Sequence, residues 1–325
     1  MTMIRAILAA AAAVSILAAG PAAAQAEWPT KPVKLIVGFS AGGISDVLGR
    51  AIAAKMSQQL GQQVIVENKP GAGTTIAGDF IAKAEPDGYT LWLQDITTHA
   101  INASLYAKLP YDTQRDFTPI GLVASTPLML VVHPTTPAKS VAELVTYLKA
   151  KPGAYSYGSS GNGTILHLTS ELFKSQAGLD VVHVPYKGSS PATQAILGGE
   201  VAFVFSTMPP AVSAAKSGKL RALAVTTPRR VGTAPDVPTM AEAGMPGVEI
   251  VLYSGILGPK GMSPALVERI NKAFAQAVSS DDIRRVYEQI GADPLTGPPS
   301  QLGNLVPVEV EKLGKLVKST GARIE

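Results

Sequence analysis

The sequence contains no cysteine. That excludes disulfides, thiolate metal ligands, a cysteine nucleophile and a lipidated cysteine anchor, so a large packed core has to supply the stability. Charge is also sparse, at 16% Asp, Glu, Lys and Arg with a formal net charge of +4. The lysines and arginines are scattered, without the basic stripe and interleaved aromatics of nucleic-acid binders, so no nucleic-acid partner is expected. Histidine is scarce, and His99, His133, His167 and His183 lie too far apart for an HExxH-type pattern, so no metal is expected. Beyond the N-terminal region, Gly, Pro and charged residues interrupt every apolar run before it reaches the roughly 20 residues a membrane span needs. Gly158-Ser159-Ser160-Gly161 does not fit the G-x-S-x-G elbow, and no catalytic residue stands out. A triad assembled from distant residues stays open, because triads are defined by geometry. Pro70 to Ile76 has an isoleucine where a dinucleotide fingerprint needs its third glycine. It reads as a loop capping the next helix, and no cofactor is expected.

What is present begins with an address. Residues 1–26 offer one cation at Arg5, an apolar run from Ala6 to Ala19 and small residues ending in Ala24-Gln25-Ala26, the three parts of a secretory signal peptide. Cleavage near Ala26 predicts a freely diffusing periplasmic protein whose formal charge falls by one, from +4 to +3. About 300 remaining residues exceed what single cores usually hold, so two domains are the default, and a monomer is expected.

Strand and helix periodicities alternate along the chain. Strands are expected at Lys34–Gly38, Gln63–Glu67 and Tyr89–Leu93, with helices at Asp46–Leu60 and Thr75–Ala84 between them. The grammar restarts after Pro119: strands at Ile120–Ala124, Leu128–Val132, Tyr155–Gly158, Val181–Val184 and Val201–Phe205, with helices at Val141–Ala150, Ile165–Ala177 and Ala192–Leu197. A strand at Val248–Tyr253, a helix at Pro264–Val278 and a helical tail at Pro307–Thr320 complete the chain. This implies an α/β protein of two lobes, each a mostly parallel sheet flanked by helices. Assigning the tail to the first lobe gives lobe 1 as residues 27–125 plus 248–325, lobe 2 as 126–247, and two crossover segments. Two consecutive independent domains are the alternative.

Two glycine loops carry the chemistry. Phe39-Ser40-Ala41-Gly42-Gly43-Ile44-Ser45-Asp46 and Tyr157-Gly158-Ser159-Ser160-Gly161-Asn162-Gly163-Thr164 each leave a strand and enter a helix. Glycine lets such a turn bring amide N–H groups onto a ligand, and the helix N-terminus adds partial positive charge. One loop per lobe, each at a strand's carboxyl end, predicts an anion held between facing helix N-termini. His167 lies one turn into the second helix, and Lys187 just past a strand end. The cleft floor is assigned to Gln94–Thr98 with Thr97 among them, to Ser206-Thr207, and to Tyr253.

Ordered motifs along nearly the whole mature chain resemble the substrate-binding components of tripartite tricarboxylate transporters, the Bug family. They include Trp28-Pro29-Thr30-Lys31-Pro32, Gly42-Gly43-x-x-Asp46, Val66-Glu67-Asn68-Lys69-Pro70-Gly71-Ala72-Gly73, Pro86-Asp87-Gly88-Tyr89-Thr90-Leu91, Ser159-Ser160-Gly161-Asn162-Gly163-Thr164, His183-Val184-Pro185-Tyr186-Lys187-Gly188, Leu220-Arg221-Ala222-Leu223-Ala224-Val225-Thr226 and Pro235-Asp236-Val237-Pro238-Thr239. The resemblance implies a hinged, type II-like periplasmic clamshell that grips a carboxylate and hands it to a membrane permease. The ligand positions it implies are Phe39, Ser40, Gly42, Gly43 and Asp46 in the first turn and Ser159, Ser160, Gly161, Asn162, Gly163, Thr164 and His167 in the second. Family members commonly carry proline at the places of Gly38 and Ser40, Asp-Asn in place of Ser206-Thr207, and Trp-Tyr-Gly in place of Tyr253-Ser254-Gly255. Hydroxyls in place of an acidic residue favour an aliphatic or aromatic dicarboxylate over an amino acid. A ligand sensor for a two-component system and, less so, a secreted hydrolase are the rival functions.

Overall fold

The computed structural model describes residues 28–320, so the expected signal peptide lies outside the described residues. The chain opens with β1 (Val33–Val37), α1 (Ile44–Leu60), β2 (Val64–Asn68), a single 3-10 turn at Ala72–Thr74, α2 (Thr75–Ala82), β3 (Thr90–Asp95), α3 (Ile96–Leu105) and β4 (Phe117–Thr126). It then builds β5 (Leu128–Val132), α4 (Val141–Lys149), β6 (Ser156–Ser159), α5 (Ile165–Ala177), β7 (Val182–Pro185), α6 (Ser189–Leu197), β8 (Phe203–Thr207), α7 (Met208–Lys216) and β9 (Arg221–Val225). It closes with β10 (Leu252–Pro259), α8 (Pro264–Val278), α9 (Asp281–Ile290), β11 (Asp293–Pro294) and α10 (Pro299–Thr320).

These form two sheets, ordered β11-β4-β10-β3-β1-β2 and β7-β6-β8-β5-β9. Both are mixed, where strict strand–helix alternation predicts mostly parallel ones. β1 pairs in parallel with β2 and β3, and β6 with β7 and β8. However, β10 runs antiparallel between β3 and β4, and β5 antiparallel between β8 and β9. The cause is the chain crossing between sheets: β5 and β10 enter each sheet from the other one, without the crossover helix that makes neighbours parallel.

Alternation along the buried strands separates two cores in the first sheet. Leu35 and Leu93 point to one face, with Leu48, Ile52 and Met56 of α1; Ile36 and Trp92 point to the other, with Ile81, Ile96, Leu302 and Val306. Burying each such side chain contributes about 1.5–3 kcal/mol. α1 ends on Gly61, whose φ of 66° makes a left-handed cap. Among the described residues no helix is long and apolar enough to cross a membrane.

The terminal helix starts at Pro299 and not at Pro307, which lies in its interior. A proline there forfeits one hydrogen bond and crowds the preceding turn; packing of Leu302 and Val306 on the sheet overrides that cost. The strand expected at Val248–Tyr253 pairs only from Leu252 and continues to Pro259, with irregular register at Ser254/Gly255 and Ile256/Leu257. Helices α3, α7 and α9 and strand β9 escape the periodicity reading altogether.

Two segments cross between the sheets, one at Thr126–Leu128 and one between β9 and β10. Thr226 ties them together. The Leu128 amide donates to Thr226 Oγ1 at 2.9 Å, and that hydroxyl donates to the Ile250 carbonyl at 2.7 Å. The Thr226 amide donates to the Leu128 carbonyl, and the Ile250 amide to the Thr226 carbonyl, both at 3.0 Å. Thr226→Val keeps the shape but leaves two buried backbone groups unpaired, so it is expected to cost about 2–4 kcal/mol, read as a lower urea midpoint at unchanged slope.

Candidate functional site

Five helices point their N-termini at the seam between the sheets. A small cavity there is lined by Phe39, Gly43, Ile44 and Ser45 from the start of α1, Asp95 before α3, Ser160 and Leu166 around the start of α5, Ser189 at the start of α6, Thr207 before α7, and Leu252 of β10. The arrangement follows from topology, since each strand ends at the seam and turns there into its helix. The α3 and α5 termini are capped from within: Asp95 accepts from the Thr98 amide at 3.0 Å, and Thr164 Oγ1 from the His167 amide at 3.5 Å. α1, α6 and α7 carry no side-chain cap, their N-caps being Gly43, Gly188 and Thr207. Each bare terminus contributes a partial positive charge of about half a unit. These helix ends bring positive potential to a cavity that no lysine or arginine lines and whose single ionisable residue is Asp95. Two lining hydroxyls, Ser45 Oγ and Thr207 Oγ1, are buried without a hydrogen-bond partner. Such groups normally have one.

The seam is closed. Its cavity holds about 20 Å³, room for roughly one water, so an organic acid enters only if the lobes spread. Contacts across the seam are close: the Ser40 amide donates to the Lys187 carbonyl at 3.1 Å, and the Ile165 amide to Thr98 Oγ1 at 3.1 Å. Tyr106 donates to the Ala72 carbonyl at 2.8 Å, with the Asn162 carbonyl also 3.5 Å away. Glycine is needed at two of these contacts. Gly73 (φ 58°) offers no room for a side chain, since a Cβ would lie 2.4 Å from the Asn162 carbonyl oxygen; at Gly163 (φ 77°) it would lie 2.4 Å from Leu105. The Pro70–Ile76 loop is therefore part of the seam and not a side-chain cap for α2, whose N-cap Thr74 makes no capping bond.

Of the residues singled out in sequence, the structure brings Phe39, Gly43, Ser160 and Thr207 to the cavity. Gly42 and Asp46 brace it from behind. Gly42 turns at φ 87°, and its amide donates to Asp46 Oδ2 at 3.0 Å. Asp46 also accepts from Asn68 at 3.0 Å and pairs with Arg50 at 2.9 Å. Burial pushes the Asp46 carboxyl up, but bonds from Arg50, the Gly42 amide and Asn68 outweigh it and hold the group below its ordinary value. A depressed carboxyl stabilises the fold above its unfolded value of 3.8, and that contribution is lost as pH falls through the lower folded value. Asp46→Asn is thus expected to cost about 1–3 kcal/mol near neutral pH, with the gap to wild type closing in urea titrations only as pH falls below the ordinary carboxylate value of 3.8.

The other candidates lie elsewhere. Ser40 sits in the seam against Gly188, Ala41 is exposed, and Gly161 and Asn162 line an outer gap with Lys187. Thr164 is the α5 cap, and Ser159 Oγ bonds His183 Nε2 at 2.6 Å. His167 stacks on His183 with ring centroids 4.1 Å apart; burial lowers both, His183 to about 3. Ser206 Oγ is bonded to Ser189 and Thr193. Thr97 Oγ1 accepts from the Tyr253 amide at 2.9 Å, pinning β10. Tyr253 points away from the cavity because it neighbours Leu252 on a strand, where successive side chains face opposite ways. It lines a second cavity of about 670 Å³ behind the hinge, with Thr126, Arg229 and Thr233. Ile44 and Ser45 lie in the first glycine loop and Asp95 in the Gln94–Thr98 floor, though none was singled out, and sequence reasoning missed Leu166, Ser189 and Leu252 as cavity residues; Gly188-Ser189 carried a usable signal, a glycine between a strand and a helix. Among the described residues no cluster of His, Asp and Glu could hold a metal.

Comparison with known proteins gives the family and the fold. The model of the tripartite tricarboxylate transporter family receptor matches residues 48–322. Protein BugT of Bordetella pertussis is 35% identical over 299 residues, covering 92% of each chain. An R. palustris structure solved with adipate matches with a TM-score of 0.88 at 35% identity, covering 92% of this chain and 100% of that one. MatC from Rhodopseudomonas palustris with bound malate matches with a TM-score of 0.85 at 32% identity, covering 89% and 100%. The structure of periplasmic binding protein BugD matches with a TM-score of 0.88 at 33% identity, covering 92% of this chain and 100% of that one, and this likeness gives the two mixed sheets the two-lobed fold of periplasmic binding proteins. The chain belongs to the tripartite tricarboxylate transporter receptor family, whose members bind solutes and are not enzymes.

Proposed function

We propose that this receptor captures a small organic dicarboxylate between lobe 1 (residues 27–125 plus 248–325) and lobe 2 (residues 126–247), in the periplasm after loss of its signal peptide. The observation that carries the reading is the convergence of three uncapped helix N-termini on one buried cavity between the sheets. A carboxylate there would meet amide donors, two spare hydroxyls and the positive helix ends without a formal countercharge. Relatives solved with adipate and with malate support the carboxylate class. Ligand contacts made in both lobes favour the closed form by their difference in free energy between the two states. The closed monomer is what the permease of a tripartite tricarboxylate transporter would recognise.

Thermal shift against mono-, di- and tricarboxylates, aromatic acids and amino acids tests the reading, because a ligand of the folded state alone raises the melting temperature. Dicarboxylates are expected to give the largest shift. An amino acid ranking first would refute the dicarboxylate assignment.

A further inference from the structure

Asp95 is the single ionisable residue among the ten that line the cavity. It ends β3 at the bottom of the site and is 2% exposed. The Thr98 hydroxyl donates to its Oδ2 at 2.6 Å, and that same hydroxyl accepts from the Ile165 amide across the seam at 3.1 Å. The carboxyl is thus wired to closure of the lobes.

Among the described residues no cation pairs with it, and on α10, packed against α3, the buried Glu309 has Lys312 beside it. On α1, Asp46 and Arg50 pair with each other. On β1, Lys34 pairs with Glu67 at the surface, and on α2, Asp79 pairs with Lys83. His99 of α3 is buried against the Thr113 carbonyl, His167 of α5 is stacked on His183 with Glu171 and Lys174 one turn on, and Tyr253 of β10 faces the other way. β3 ends beside Ser254 of β10, which carries no charge, and α6 has no ionisable side chain. A ligand carboxylate closed into this space beside an ionised Asp95 would put two like charges in a nearly dry pocket. Such pairs keep one proton between them.

Building on the carboxylate reading above, we infer that Asp95 is a ligand-binding residue: it takes up one proton from solvent as the acid is captured and donates that hydrogen to a ligand oxygen. Solute and proton enter the closed site together. The free protein is poised for this, since burial already pushes the Asp95 carboxyl up to about 6 against the bonds from Thr98 and Thr97.

Calorimetry of the wild-type protein with the tightest of malate, adipate and related dicarboxylates, run in two buffers of different ionisation enthalpy, counts the protons. Uptake approaching one proton per acid is expected, with affinity falling about tenfold per unit between about pH 6.5 and 8.5. Asp95→Asn, which retains a good helix cap, is expected to bind with flat pH dependence and no proton exchange. Wild-type binding without proton uptake overturns the inference and leaves the carboxylate site standing; failure of every acid to bind overturns both. An Asn variant as pH-dependent as wild type removes the role from Asp95.

Discussion

Gly73→Ala is expected to abolish tight binding while leaving a folded protein. A Cβ at this position would lie 2.4 Å from the Asn162 carbonyl oxygen and 2.9 Å from the Tyr106 hydroxyl, so the lobes cannot meet there as they do now. The local backbone cost is modest. At φ 58° alanine in a left-handed conformation loses about 1–2 kcal/mol, and neighbours Ala72 and Thr74 already hold positive φ. The clash falls on backbone, which cannot swing aside, so its relief is separation of the lobes and loss of half the ligand's contacts. An affinity loss of about 100-fold or more follows if closure is worth about 3 kcal/mol or more. Calorimetry measures it, and small-angle scattering with saturating acid should show the variant remaining expanded. Wild-type affinity in the alanine variant would mean that this seam plays no part in capture.

Thr207→Asp is expected to be the most damaging single change in the cavity. Thr207 precedes α7 with its hydroxyl unpartnered, at a terminus that lacks a side-chain cap. Pro209 and Pro210 stand at the two positions whose amides an N-cap would bond and carry no N–H, so the new carboxylate is buried without a donor and the ligand-free protein should lose about 1–3 kcal/mol. The same carboxylate would occupy the position of positive potential and repel an incoming anion at several kcal/mol. Binding by the folded variant should weaken by about 100-fold or more, a loss larger than its fall in stability explains. A variant that still binds the acid within about threefold would place the anion away from α7.

The repeated strand-to-helix grammar was legible because β1 to α1, β6 to α5 and their neighbours obey simple periodicities, and glycine at each strand end announced the turns. What was hidden has physical causes. α3 mixes buried Thr97, Thr98, His99 and Asn102 with its apolar residues, since Thr98 and Asn102 meet the seam, Thr97 holds β10 and His99 bonds the Thr113 carbonyl. α7 opens with two prolines, which read as a loop although the first helical turn tolerates them. β10 contains Gly255, Gly258 and Pro259, which suit its bulged passage between β3 and β4 and mask its strand character. Parallel against antiparallel pairing was not readable, because periodicity reports burial and not direction.

At the site, the glycine loops lead to the seam between the sheets but to only part of the wall of its cavity. Gly43, Ser160 and Thr207 line the cavity, whereas His167 and Ser159 belong to a stacked cluster with His183 beside it. Asp95 was reachable as part of the Gln94–Thr98 floor, yet nothing in sequence distinguishes an N-cap aspartate from one that also faces a ligand. Tyr253 was misplaced by one strand position, which on a pleated strand is enough to send a side chain to the opposite face.

A crystal structure of the protein with its tightest dicarboxylate tests the central claim most directly. One carboxylate is expected between the N-termini of α1, α6 and α7, accepting from the Ser45 and Thr207 hydroxyls, with the two lobes closed around it. An acid found instead in the cavity behind β10, beside Arg229 and Tyr253, would contradict the account.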